Sequence, residues 1–466
     1  MTYERPPAIT PVTDKVAEFV RSLTYESLPQ NAKNQMTIAL IDYFRAGIAG
    51  LSMPWLEKVK AAFDDLGGAP ISSVLYSDQR TDPIRAAYIN GTITGSLDWD
   101  DTHVGAMLHP GVVVWPGVFA LAEKVGATGE QMLAAAAAGY ETDIRVGLGV
   151  QPGHFKRGFQ ATATCGVFGS AAAAAHILGL DKDGVRNALG IAGSYAGGVT
   201  QFFLSGSEVK RLHASKAAAA GVEAALIAAE GVSGPRDVLE GIQGFGKALG
   251  DGLDEDAVLD GLGEEFLFMG LQFKPHAASA RVLSQIECAE TIARSGVKPE
   301  DIEAIEIGVS AVIVGRLTLK EAGTLQQAQM SAPYTTALTL VLASETPPPL
   351  ILSVNTIGEH LGDARVRALV DRTTCVVDPE IDAGLTDEYA AGRVTVALKD
   401  GRKVSETVML PKGCWKRQME LDEIAERFKV VASPVVGEDA AASWLAKAMQ
   451  PDAVKSAAEF LTMRAK

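Results

Sequence analysis

Cysteine, aromatic side chains, basic charge and long apolar runs are all scarce in this chain of 466 residues. The four cysteines, Cys165, Cys288, Cys375 and Cys414, show no CxxC spacing. That supports neither a disulfide framework nor a structural zinc site and points to reduced thiols. Apolar runs such as Val167 to Leu180 fall short of the roughly 20 residues a membrane span needs. Met1 to Thr13 has no apolar stretch resembling a signal peptide, so a cytoplasmic protein without a membrane partner is expected. With 42 basic against 57 acidic side chains and a net charge of −15, the chain lacks the basic surplus that phosphate neutralisation requires, which argues against nucleic acid as a partner.

What is abundant is small and apolar. Hydrophobic residues make up 47%, enough for a globular core, and glycine numbers 47. Alanine forms tracts at Ala134 to Ala138, Ala171 to Ala175 and Ala217 to Ala220. Small side chains let helices approach closely, so a large, tightly packed helical body is predicted.

From Asp14 to about Glu265 the pattern is mostly helical: Asp14 to Leu23, Ala32 to Ala49 and Gly129 to Val146 carry apolar residues three and four apart. Ala32 to Ala49 is apolar on most sides, so its Asp42 reads as a buried structural acceptor. After Phe273 the character changes. Ile302 to Val309 alternates as a half-buried strand does, Thr374 to Val377 is rich in β-branched residues, and Arg393 to Leu398 leads through Lys399-Asp400-Gly401 into Lys403 to Leu410, a hairpin signal. Helical patterning returns from Leu421 to Ala465. The predicted fold is mainly α. A large all-helical domain is formed by both chain ends, residues 1–270 and 412–466, with a smaller α+β domain inserted at 271–411.

Three polar islands stand out. The densest is Asp98-Trp99-Asp100-Asp101-Thr102-His103 followed by His109-Pro110-Gly111, set in apolar surroundings where polar groups must be paired or used. Asp100 or Asp101 taken singly also suits a helix cap. Lys210-Arg211-Leu212-His213 precedes a small-residue run and suits carboxylate binding through charge-assisted hydrogen bonds. Lys274-Pro275-His276 lies where helical patterning gives way to mixed patterning, the kind of junction ligand sites favour. The aspartates alone would suit a divalent cation, whereas convergence with the lysines would repel one, so an anion site and a cation site are distinct possibilities.

Other features carry less. Gly241 to Lys247 spells GxxxxGK, but Ala248 stands where a phosphate loop needs Ser or Thr. His176 reads as a satisfied core histidine, and His360 has nothing chemical beside it. No Gly-x-Ser-x-Gly elbow or HExxH is present.

At these islands the sequence resembles the MmgE/PrpD family, which includes 2-methylcitrate dehydratases, cis-aconitate decarboxylases and an iminodisuccinate epimerase. The resemblance rests on Asn90-Gly91, Leu97 to Thr102, His109-Pro110, Gly158-Phe159, Thr162 to Thr164 and Gly166 to Gly169. It continues through Lys210 to His213, Phe273 to Pro275 and Ser331 to Tyr334. It implies a helical domain with an α+β lid, a homodimer, a small anionic polycarboxylate as substrate, and no metal or organic cofactor. Asp98, Thr102, His109, Lys210, Lys274 and Tyr334 match site residues of its decarboxylase branch. His213 and His276 join them on chemical grounds. Two positions depart from the family: Gln160 stands where many relatives have His, and Ser279 where relatives have Cys or His.

These residues suggest a division of labour. Removing a proton next to a carboxylate builds charge on an anion, so Lys210 and Lys274, with Arg211 as helper, are expected to stabilise it. His109, held by Asp98, is the expected general acid or base. Thr102 and Tyr334 are expected to orient substrate carboxylates, with Gln160, His213 and His276 in the same binding group. The expected function is a lyase, with hydro-lyase ahead of carboxy-lyase. An epimerase of a substituted succinate, a magnesium-dependent prenyl-chain enzyme and a non-catalytic polycarboxylate-binding protein are the alternatives.

Overall fold

The computed structural model describes residues 10–205, 207–383 and 391–466, so most of the Met1 to Thr13 stretch lies outside the described residues. Helix accounts for 56% and strand for 9%, making the protein mainly α as its periodicity predicts. Among the described residues no helix is long and apolar enough to cross a membrane. The chain divides into two compact units, Met1–Leu271 with Val431–Lys466, and Gln272–Val430.

The first unit is built from helices whose ends the sequence specifies. Asp82 accepts from the backbone N–H groups of Ile84 and Arg85 to start Pro83–Thr94, and a Thr128/Gln131 capping box starts Gly129–Val150. All three alanine tracts are buried. They lie on Gly129–Val150, Gly166–Ile177 and Lys210–Ala229, which pack at close range because little side chain separates them. A Cβ on Gly91 would come within 2.9 Å of the Ser215 Cα, so glycine there lets Pro83–Thr94 cross Lys210–Ala229. Thr92 and Ser215 hydroxyls then meet at 2.8 Å. This crossing fixes the start of the lysine-bearing helix against the segment that follows Thr94. On Gln30–Gly50, Asp42 is 1% exposed and paired with Arg45, the structural acceptor its apolar surroundings suggest.

The second unit contains a four-stranded sheet in the order Thr373–Val377, Ile302–Val309, Gly392–Leu398, Lys403–Val408. The first pair is parallel and the other two are antiparallel. The hairpin turns through Asp400-Gly401, where Gly401 takes φ 89°, the left-handed conformation that glycine adopts without penalty. Alternate residues of Gly392–Leu398 are buried, and Val394 and Val396 join a core with the apolar faces of Leu283–Arg294 and Ala332–Ala343. The segment after the hairpin stays with this unit through Phe273 N–H to Gly413 O at 3.0 Å and Arg427 Nη1 to Pro275 O at 3.1 Å. All four cysteines are unbridged.

Candidate active site

The segment between Pro83–Thr94 and Gly111–Val125 holds four consecutive residues with alternating duties. Trp99 and Asp101 point into the body: Trp99 is 0% exposed, and Asp101 accepts from Gly111 N–H at 2.9 Å and from Tyr140 Oη at 2.7 Å. Burial, then the neighbouring Asp42, pushes the Asp101 carboxyl well above the usual carboxylate range, although its two donors oppose this. Asp98 and Asp100 point the other way, to His109. Asp98 Oδ1 lies 3.3 Å from Nε2, and Asp100 Oδ2 lies 3.0 Å from Nδ1. To make that contact Asp98 adopts φ 57°, a left-handed conformation that Asp tolerates at a cost of roughly 1 kcal/mol.

The acceptors around His109 define its tautomer. Nδ1 lies 3.1 Å from the Asp101 carbonyl oxygen, which can only accept, as well as facing the Asp100 carboxylate. Nδ1 therefore carries a proton, and Nε2 is the nitrogen that faces Asp98. His109 N–H donates to Thr162 Oγ1 at 3.1 Å, tying this loop to the short helix Ala161–Thr164.

Asp98, Asp100 and His109 line a pocket with Gln160, Thr162, Lys210 and His213. Lys210 and His213 sit three apart on one face of Lys210–Ala229, so both reach it. Lys210 Nζ lies 2.9 Å from Asp98 Oδ2, which leaves two ammonium protons for other acceptors. His213 packs edge-on against Phe202. Burial and then the Lys210 charge lower its pKa, which keeps it neutral at physiological pH. Gln160 caps Ala161–Thr164 by accepting from Ala163 N–H at 2.9 Å through Oε1. With its oxygen committed there, its NH₂ remains as a donor.

Residues 14–256 match the MmgE/PrpD N-terminal domain and residues 276–450 match the MmgE/PrpD C-terminal domain. The chain belongs to the MmgE/PrpD family. It is 29% identical over 457 residues to the cis-aconitate decarboxylase-like protein oryM of Aspergillus oryzae, with 92% of each chain covered. It is 26% identical over 451 residues to a cis-aconitate decarboxylase of Aspergillus terreus, covering 92% of this chain and 90% of that one. The mouse cis-aconitate decarboxylase is 25% identical over 445 residues, with 92% and 88% covered.

All the pocket residues named above fall in the stretch that matches the MmgE/PrpD N-terminal domain. The other expected site residues lie as follows. Thr102 does not line the pocket: its hydroxyl lies 3.2 Å from His109 Nδ1, and Thr162 supplies the hydroxyl on the wall. Arg211, one position round the helix from Lys210, turns away and lies over the Trp55 ring at 5.5 Å. In this pocket the Lys210 ammonium is paired with Asp98. Tyr334 belongs to the second unit's core, 0% exposed, its hydroxyl 3.4 Å from the Ile357 carbonyl and its pKa pushed by burial to about 12. Also in the second unit, Lys274 is 6% exposed and His276 is 4% exposed, with His276 Nδ1 accepting from Leu352 N–H at 3.2 Å. Asp100 and Thr162 are the residues that sequence reasoning passed over as site members. For Asp100, its place two residues from Asp98 in the acidic run was the available signal.

Donor atoms of Asp98, Asp100 and His109 all lie within 4.8 Å of one another, close enough to share a divalent cation in principle. The Lys210 ammonium already occupies the open side of Asp98. Elsewhere, His176 Nε2 pairs with the Leu23 carbonyl at 2.9 Å, and His360 Nδ1 with the Thr356 carbonyl at 2.8 Å. The GxxxxGK run ends in a five-residue helix, Phe245–Leu249.

Proposed function

We propose that this MmgE/PrpD protein is a cofactor-independent lyase acting on a small di- or tricarboxylic acid. The observation that carries the reading is His109 bracketed by Asp98 and Asp100 beside Lys210 in one pocket. A histidine with one nitrogen fixed as a donor and the other shared with a carboxylate is built to move a proton. The relatives named as cis-aconitate decarboxylases make an unsaturated tricarboxylate the first substrate to try.

In a decarboxylation the bond to a substrate carboxylate breaks, carbon dioxide leaves, and the electron pair stays on carbon until Nε2 of His109 delivers a proton there. In a dehydration a base takes the proton next to a carboxylate, the electron pair forms the double bond, and hydroxide departs with a proton. Either path builds charge that Lys210 and the Gln160 NH₂ are placed to stabilise. His213 contributes a neutral ring to the binding wall. Lys274 would supply a second cation and His276 a further donor to a substrate carboxylate, on chemistry and resemblance. A homodimer is proposed on the same resemblance.

The test is incubation with citrate-like, aconitate-like and substituted succinate acids followed by mass spectrometry. Loss of carbon dioxide or of water supports the lyase and tells the two chemistries apart. Deuterium uptake at carbon from D₂O without loss of carbon dioxide or water would make it an isomerase, and unchanged acid bound in calorimetry would make it a binding protein. His109→Gln should cost at least about a hundredfold in kcat.

A further inference from the structure

The left-handed backbone of Asp98 does not maintain itself; something beside it must hold the chain in a conformation that few L-residues choose. The next residue shows what does. Trp99 is 0% exposed, and Arg45 approaches it in two independent ways. The guanidinium carbon lies 4.2 Å from the centre of the Trp99 ring, and Nη2 donates to the Trp99 carbonyl at 3.0 Å. Arg45 is itself 0% exposed and immobilised on Gln30–Gly50 by Asp42, whose Oδ1 accepts from Nε at 3.1 Å and from Nη2 at 2.5 Å. One planar cation therefore grips both the side chain and the main chain of the residue following Asp98.

We propose that Arg45 is a positioning residue that sets the aim of Asp98 at His109. The inference rests on the reading of His109 and Asp98 as a proton-moving pair. It adds a residue, more than fifty positions away in sequence, that is not among the residues lining the pocket. The geometry requires arginine. A lysine keeps the charge opposite Asp42 but offers no plane to stack on Trp99 and no fixed fork to reach Asp42 and the Trp99 carbonyl together. Asp98 would then relax toward ordinary backbone angles, and its carboxylate would leave Nε2.

The experiment uses the full-length protein labelled with ¹⁵N-histidine, the His109 signals being assigned by their loss in His109→Gln. In Arg45→Lys, with thermal melting checked in parallel, the Nε2 resonance of His109 should move more than half of the way to its position in Asp98→Asn. It should move no further in the double variant. A resonance that stays at the wild-type position in folded Arg45→Lys, or that moves by the same amount when Asp98→Asn is already present, overturns the proposal. If Arg45→Lys does not fold, Trp99→Phe, which keeps a buried ring but alters the stacking surface, is read by the same two criteria. Where turnover is measurable, kcat should fall about tenfold to a hundredfold, the scale of a catalytic group misplaced by about 1 Å, with KM little changed. A wild-type protein that converts none of the acids would sink the lyase reading, while the resonance would still decide the positioning role.

Discussion

Oδ1 of Asp98 lies 3.3 Å from Nε2 of His109 while its other oxygen lies 2.9 Å from the Lys210 ammonium. The carboxylate is thereby the hub of a chain running from a cation to an imidazole whose far nitrogen meets a second carboxylate, Asp100. Deleting the hub's charge without its shape is the most direct question to put to this site. Asn tolerates φ 57° as Asp does, so Asp98→Asn should fold normally. The Lys210 pair is about a quarter exposed at each end, and such pairs add little to stability, under about 1 kcal/mol. Turnover should fall by about a hundredfold or more. An equal loss of melting temperature and turnover would reassign Asp98 to structure.

Tyr140 bears the load on the buried side of the same segment. Its hydroxyl donates to Asp101 Oδ2 at 2.7 Å where neither group reaches water. Tyr140→Phe leaves a buried carboxyl oxygen without that donor, at a cost of about 1–3 kcal/mol. Chemical denaturation should show a lowered midpoint with an unchanged slope. Since Gly111 N–H still holds Oδ1, the loop should keep its course and kcat should change less than in Asp98→Asn. A collapse of kcat at full stability would move Tyr140 into the proton path.

The acidic cluster at 98–109 and the lysine of 210–213 were legible because polar residues in apolar sequence have to be satisfied or used, and both line the pocket. The hairpin at Lys399-Asp400-Gly401 was legible because its turn chemistry is local. Position around a helix was harder. Lys210 and Arg211 are adjacent cations, yet one residue is about 100° of rotation, and only one faces the pocket. The choice between Thr102 and Thr162 for the pocket hydroxyl depends on how a loop meets a helix 53 residues on, which no local pattern records. Tyr334 follows Ser331-Ala332-Pro333 at a helix start, and both its burial in the second unit's core and its hydroxyl's partner, a carbonyl 23 residues away, depend on segments distant in sequence. Pairings between distant segments, such as Lys210 with Asp98, arise only once the helices pack.

Asp143 makes a prediction about pH. It is 0% exposed, and among the described residues neither carboxyl oxygen has a hydrogen-bond partner. Burial, and then Asp101, raise its pKa well above the ordinary 3.8. A carboxyl whose pKa is higher folded than unfolded contributes stability that is fully present below the unfolded value and is lost as pH rises through the folded one. Each unit of elevation withdraws about 1.4 kcal/mol by the time both values are passed. Asp143→Asn has no proton to lose. Its urea midpoint should therefore gain on the wild type as pH rises above the ordinary carboxylate range. A difference that stays flat above that range would mean Asp143 titrates as an ordinary carboxyl.

The donor atoms of Asp98, Asp100 and His109 lie within 4.8 Å of one another and pose a choice between two cations for one electrostatic well. Lys210 already fills it from one side at 2.9 Å. A divalent ion on Asp98 would sit near that ammonium, and even two unit charges 4 Å apart repel by about 4 kcal/mol at an effective dielectric of 20. The lysine should therefore exclude the metal, and activity should survive dialysis against EDTA unchanged. Lys210→Met removes the competitor while leaving the three donors, so Mn²⁺ should bind the variant, as seen by electron paramagnetic resonance, more tightly than the wild type. That gain should come with lost turnover, because the ammonium is also the proposed stabiliser of the substrate anion. Wild-type activity abolished by EDTA and restored by Mg²⁺ would reverse the assignment: the triad would be a metal site, with Lys210 its regulator.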